Sequence, residues 1–311
     1  MARDLGRLAP VAWLLIALGC GPTVRPPEPP SEPGSVTKQQ DRGKLVPSTV
    51  GRQIMVGEMC PQGAGGRPAV TPLVMRGATW TDAQADLSNV VERGGVPRFV
   101  VFGVDGKHAG IFDTVGLTDV GLGQAVASGT YTGAAPCTSD AGNGQRSEEV
   151  LCTPATGGCG LAVGELSRPD EPPMDTTFTM GGACISGDAL AVDIDGDGKM
   201  ESFPLAGILD GVRSPAHEWT AAPTATAACK PTFQIYNLRL APPPEPGKPA
   251  NPKHVVTLHV LGVLDLDGDG RREVVVAFEF PTVRTIAVYS ATASPQRLEL
   301  AGEGTSFPHL N

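Results

Sequence analysis

Two short stretches of this chain gather carboxylates at one repeated spacing. Residues 193–201 and 265–273 both read DxDGDGxxE, and their first aspartates lie 72 positions apart. Carboxylates at alternate positions of a tight loop can converge on one point: Asp193, Asp195 and Asp197 in one copy, Asp265, Asp267 and Asp269 in the other. The intervening glycines permit the sharp turn, and the seventh residue, Lys199 or Arg271, can offer its backbone carbonyl. A hard cation taking about six to eight oxygens, calcium, suits such a donor set. Without an ion, four carboxylates held so closely repel one another. Two near-identical copies argue against loops that merely turn the chain.

The first six positions match the start of an EF-hand loop, whose bidentate glutamate stands further on, in the last position of the loop. Here that place holds Pro204 or Val276, and the acid comes earlier, as Glu201 or Glu273. The residues after the second copy, Val274, Val275, Val276, Ala277 and Phe278, read as strand rather than helix. An EF-hand is excluded, and so is a dockerin, whose loops also lead into helices. The chain instead resembles the FG-GAP/VCBS repeat family over residues 188–290, about a third of its length. The calcium hairpin of that family reads roughly D-x-D/N-x-D-G-x-x-D/E before an apolar strand. The resemblance implies two Ca2+ sites. Asp193, Asp195, Asp197 and Glu201 would bind through side chains and Lys199 through its carbonyl; Asp265, Asp267, Asp269, Glu273 and the carbonyl of Arg271 would form the second site.

Strands must carry these loops. Apolar runs at 189–194 and 255–264 precede them, and further strands are read at 161–166, 176–180, 233–240, 273–280, 285–290 and 297–300. Strands at 98–104 and 107–112 flank Asp105 and Gly106, a strong two-residue hairpin signal. One helix is expected. Thr81 and Gln84 form a capping-box pattern, Ala83, Leu87, Val90 and Val91 share a face, and Gly94 and Gly95 supply the stop. The pattern divides the chain into a signal peptide at 1–19, a lipidated cysteine and Pro-rich tether at 20–44, a small mixed α/β region at 45–160 and a β-rich region at 161–311. The resembled family commonly builds closed propellers, but fewer than four units of 72 residues fit between Leu45 and Asn311. The expected fold is therefore mainly β: a propeller-like fragment or a compact antiparallel β domain with calcium hairpin loops, preceded by the mixed region.

The first residues read as an address. Arg3 and Arg7 accompany an apolar core at 8–18, too short to span a bilayer but suited to a secretory signal. It ends in Ala17, Leu18, Gly19 and Cys20, which resembles the lipobox of bacterial lipoproteins. That resemblance implies acylation of Cys20 and a lipid anchor in the cell envelope; Gly21 in place of aspartate implies the outer membrane. Residues 21–35 carry six prolines and make an extended spacer of up to roughly 45 Å. Six cysteines remain: Cys60, Cys137, Cys152, Cys159, Cys184 and Cys229. An even count in an exported chain implies up to three disulfides, and no Cys-x-x-Cys is present to suggest zinc. Nearest-neighbour pairing would give Cys60–Cys137, Cys152–Cys159 and Cys184–Cys229.

A net charge of −9 argues against a nucleic-acid partner, which calls for a basic surface. No Gly-x-Ser-x-Gly elbow, no His-Glu-x-x-His and no phosphate-cradling loop occurs. His108, His217, His254, His259 and His309 form no pattern of their own, and each reads as a surface or hydrogen-bonded core histidine. No catalytic residue is assigned. The expected role is non-catalytic: structural, or binding or adhesion toward an unknown protein or glycan ligand, with Trp80 and Trp219 as anchors. The alternative is an envelope hydrolase whose calcium loops only stabilise the fold.

Overall fold

A computed structural model describes residues 53–60, 67–84, 87, 98–103, 105–121, 124–134, 136, 159–165, 178–210, 214–222, 236–240, 256–280 and 283–306. Residues 48–311 belong to one compact unit. The expected signal peptide, Cys20, the Pro-rich tether, Cys137, Cys152, Cys229, His254 and His309 lie outside the described residues.

Strand β1 (Ile54–Cys60) is buried along its whole length because its two faces serve two cores. Met55 and Met59 join Val70, Met75, Phe99, Phe112 and Ala127 in one cluster. Ile54 and Val56, one step along the pleat, join the other. Around the first cluster run β2 (Ala69–Arg76), β4 (Arg98–Phe102), β5 (His108–Gly121), β6 (Gln124–Gly133) and β7 (Gly160–Glu165). The antiparallel order is β1-β7-β4-β5-β6-β2, and β2 pairs back to β1, which closes a six-stranded barrel. Short β3 (Trp80–Asp82) extends β2 outward.

The closure has two irregular points. The β1–β2 register shifts at Gly57, which lies opposite Pro72. A side chain at Gly57 would meet the Thr71 carbonyl at 2.2 Å, and the missing Pro72 N–H is tolerated at such a break. Strands β2 and β6 share only the pairs Ala69–Ser128 and Val70–Ala127. Beyond them Gln84 bridges the gap: its Nε2 donates to the Pro72 and Ala125 carbonyls, and its Oε1 accepts the Ala125 N–H at 2.8 Å.

A second group of strands faces the outside of this barrel. It comprises β8 (Ala183–Ser186), β9 (Ala189–Val192), β10 (Glu201–Pro204), β11 (Glu218–Thr220), β12 (Tyr236–Leu240), β13 (Val256–Leu264), β14 (Glu273–Glu279), β15 (Arg284–Ser294) and β16 (Arg297–Ser306). They form a three-stranded sheet, β10-β9-β8, and a six-stranded sheet, β11-β16-β15-β14-β13-β12. Their shared core takes in Ile54, Val56, Leu73 and Val163 from the barrel. Glycine lets the two groups touch backbone to backbone, since a Cβ at Gly304 of β16 would overlap the Leu73 carbonyl of β2. A buried charged pair crosses this apolar boundary. Arg284 grips Glu58 with Nε at 2.8 Å and Nη2 at 2.7 Å, both residues being buried.

The fold is mainly β, as the sequence implies, but among the described residues the mixed α/β region expected ahead of the β-rich part is not supported. Residues read as mixed make most of the barrel, and β7, at the start of the expected β-rich region, is one of its staves. The expected helix meets β3 at its start: Thr81 is a strand residue, and Asp82 rather than Thr81 accepts the Gln84 N–H at 2.8 Å. Ala83, Gln84 and Leu87 are helical, and Val90, Val91, Gly94 and Gly95 lie outside the described residues. The sheets hold seven, three and six strands rather than four-stranded propeller blades. No strand includes Phe178 to Met180.

Two further expectations fail on packing. Cys60 is bonded to Cys159, not to Cys137, so the pairs Cys60–Cys137 and Cys152–Cys159 do not form. Barrel closure sets the end of β1 against the start of β7, which sequence distance conceals. Cys184 is also disulfide-bonded. Trp219 is not an exposed anchor: it is 1% exposed, packs between Phe203 and Tyr289, and donates from Nε1 to the Pro204 carbonyl at 2.7 Å. Trp80 is half-buried against the same core. Among the described residues no helix is long and apolar enough to cross a membrane.

Candidate metal centre

Each acidic loop is the turn of an antiparallel hairpin, β9 to β10 for the first and β13 to β14 for the second. The two are built alike, residue for residue. The residue before the motif pairs with its ninth position, Val192 with Glu201 and Leu264 with Glu273. The second position, Ile194 or Leu266, is fully buried and pins the loop to the core. Its N–H donates to the ninth-position carboxylate, Ile194 to Glu201 at 2.9 Å and Leu266 to Glu273 at 2.7 Å.

The glycines supply backbone that other residues resist. Gly196, Gly198, Gly268 and Gly270 have φ of 73°, 84°, 76° and 89°. Between them, aspartate side chains brace the turn. Asp195 accepts the Asp197 N–H at 3.2 Å, and Asp197 accepts the Lys199 N–H at 2.7 Å. In the second loop the corresponding bonds are Asp269 to Asp267 at 3.0 Å and Arg271 to Asp269 at 2.7 Å. Asp265 additionally accepts the N–H of Gly268 at 2.7 Å and of Gly270 at 3.2 Å.

This bracing brings the carboxylates together. One oxygen each from Asp193, Asp195 and Asp197 lies within 4.8 Å of the others, and Asp265, Asp267 and Asp269 repeat the arrangement. Glu201 and Glu273 are not in these triads. Each holds the second-position N–H of its own loop. Glu273 is fully buried, and its other oxygen accepts from Ser290 at 3.0 Å. Burial, reinforced by the charge of Asp267, pushes its pKa up to about 8. Burial likewise raises Glu201, against the stabilising N–H of Ile194, and raises Asp267 against the N–H of Asp269 and the charge of Arg76. Lys199 and Arg271 place their N–H groups on the aspartates of their own loops, and Lys199 Nζ also reaches Asp197 at 2.8 Å on the surface.

Arginines that sequence spacing does not reveal also meet the triads. Arg76, at the end of β2, approaches Asp267 at 3.0 Å. Arg272 of the second loop crosses to the first, where its Nη1 is 3.1 Å from Asp193 Oδ2 and also donates to the Asp193 carbonyl. Its backbone N–H donates to the Ile194 carbonyl at 2.8 Å, so the loops are neighbours as well as copies. Arg272 stands inside the motif at a position the formula leaves open. Arg76 is nearly two hundred residues away and carries no sequence signal.

The donor set tests the fit of a cation. Every side chain of each triad offers oxygen alone, which suits calcium or magnesium rather than zinc or copper. Asp193 Oδ1 is buried and, among the described residues, has no hydrogen-bond partner. Buried carboxylate oxygens cost free energy in that condition, and a cation would satisfy it. The oxygen-only donor sets of both loops are of the kind that calcium takes, and the unpartnered oxygen belongs to the first. His259, the one described histidine that is buried, lies elsewhere, 3.2 Å from Glu279.

No family of proteins, no curated protein and no solved structure matches this chain.

Proposed function

We propose that this protein is a calcium-stabilised, membrane-anchored lipoprotein of the cell envelope with a non-catalytic role, structural or in binding a protein or glycan ligand. The observation that carries the calcium reading is the pair of aspartate triads on hairpins of the same construction. Chance acidic loops have no reason to share a buried second residue, a ninth-position glutamate and two left-handed glycines. The anchoring rests on Cys20 and the apolar segment before it, and the outer membrane on Gly21 after it. Several acyl chains on one cysteine hold a protein to a bilayer firmly, at about 0.8 kcal/mol per buried CH₂.

The ion acts on stability. At affinities usual for extracellular modules, ~1 mM calcium at a site of ~0.1 mM dissociation constant adds roughly 1.4 kcal/mol per site. Asp193, Asp195, Asp197 and Glu201 hold the first ion and Asp265, Asp267, Asp269 and Glu273 the second, with the carbonyls of Lys199 and Arg271 beside them. Calcium supplies charge that offsets the mutual repulsion of these carboxylates and ties each hairpin to its core.

Thermal unfolding in calcium and in chelator tests this reading on the wild type, Asp195→Ala and Asp267→Ala. Calcium should raise the midpoint of the wild type, and each substitution should remove about half of the rise. A midpoint that ignores calcium overturns the ion sites. Anchoring is tested separately by Cys20→Ala, which should leave the membrane fraction; a variant that stays there removes the lipoprotein reading.

A further inference from the structure

The two arginines at the triads have a consequence beyond charge balance. Asp193 and Asp267 are the most enclosed contacts of their loops with a cation of the chain: their side chains are 16% and 10% exposed, against 41% for Asp197 with its lysine. Ion pairs as open as Lys199–Asp197 exchange freely with water and salt. The Arg272–Asp193 and Arg76–Asp267 pairs are shielded, so a guanidinium there is a lasting neighbour of a metal ligand. Arg76 Nη1 is itself buried without a hydrogen-bond partner, which leaves Asp267 as its main counter-charge.

We propose that Arg272 and Arg76 are built-in competitor cations that set the calcium affinity of the first and the second loop respectively. This rests on the calcium reading of the loops. An arriving ion meets the positive charge of a guanidinium already paired with one of its ligand residues, at Asp193 in the first loop and at Asp267 in the second. The arginines keep the loops folded in low calcium by neutralising part of each triad, and they hold the sites to low affinity. Arg272 also makes the loops unequal in dependence: it belongs to the second loop by sequence and occupies the first by contact. Arg76 ties the second site to the barrel strand β2, so displacement there is felt across the boundary between barrel and sheet.

The experiment is a calorimetric calcium titration of the full chain, comparing wild type with Arg272→Met and Arg76→Met. Methionine keeps much of the apolar stem, which matters because Arg272 Cδ packs on Gly181. Charges of +2 and +1 about 6 Å apart repel enough to change affinity about tenfold or more, the lower figure being that for the dielectric of water. Each variant should therefore tighten one site about tenfold or more and leave the other near its wild-type value. Repeating the titrations with Asp195→Asn or Asp267→Asn in each background assigns the tightened site to its loop. Arg272→Lys, which keeps the charge, should stay close to wild type. Should Arg272→Met fail to fold, Arg272→Gln retains a donor for the Asp193 carbonyl and should give the same tightening. Calcium binding that is unchanged or weakened in the arginine variants overturns the proposal. A wild type that binds no calcium overturns instead the reading on which it rests.

Discussion

The contact between Glu58 and Arg284 gives the sharpest stability prediction. It joins β1 of the barrel to β15 of the sheet through two hydrogen bonds, at 2.8 and 2.7 Å, and the residues are 7% and 9% exposed. Burial alone would lower the pKa of Arg284, but the Glu58 carboxylate outweighs it and holds the guanidinium charged. Removing one partner of such a pair leaves an uncompensated buried charge, at a cost of about 3–5 kcal/mol. For a unit of this size that is a fall of roughly 10 °C in Tm. The two single variants should differ. Glu279 lies 4.0 Å from Arg284 and can share the charge left by Glu58→Gln. Arg284→Met leaves Glu58 and Glu279 without their common cation, so it should cost more. The double variant Glu58→Leu with Arg284→Met has no buried charge at this contact and should recover most of the loss. The assay is denaturant unfolding of each variant with intact disulfides. If Glu58→Gln costs under about 1 kcal/mol, or the double variant is no more stable than Arg284→Met, the pair does not hold the two halves together in the way described.

Other consequences rest on single residues. Burial holds the His259 pKa below 6.5, and the His259 hydrogen bond, with Arg284, holds Glu279 below 4.5. Both folded values are depressed, so their stabilisation is full above the unfolded values and lost as pH falls. The stability of wild type relative to His259→Gln, a difference that cancels most other titrating groups, should shrink from about pH 7 to pH 5 in denaturant melts; a difference that grows over that range contradicts this. Glu273→Gln keeps an oxygen for the Leu266 N–H and should fold, yet bind calcium at the second loop at least about tenfold more weakly by calorimetry. Unchanged affinity would make Glu273 a brace and not a ligand. Gln84→Ala removes the bridge between Pro72 and Ala125 and should cost about 2 kcal/mol in the same unfolding assay; a loss under about 0.5 kcal/mol would show that β2 and β6 close without it.

The sequence was most readable where structure is local. The acidic loops declare themselves because their ligands, glycines and ninth-position glutamate fall within nine residues, and the hairpin at Gly106 is equally local, with φ of 73°. Strands β13 to β15 were legible as apolar runs, and β16 over Arg297 to Leu300 alone. The barrel was not. β1 buries both faces, so it lacks the alternation that marks a strand, and β2 contains Pro72, which reads as a break. The signal at Thr81 and Gln84 was real chemistry with another purpose, since Gln84 bridges two strands instead of capping Thr81. Trp219 looked like an anchor because tryptophan is scarce here; its burial depends on β10, β11 and β15 meeting. Cys60–Cys159, Arg76–Asp267 and Glu58–Arg284 are all contacts across the closed barrel or its outer face, and no spacing rule reports them.

The central claim is that two loops of one design each hold one calcium ion. The most direct test is a count of bound calcium per chain by equilibrium dialysis with elemental analysis, on wild type, Asp193→Asn and Asp265→Asn. Two ions for wild type and one for each variant is the predicted result. No bound calcium in the wild type, or a count that neither substitution lowers, contradicts it.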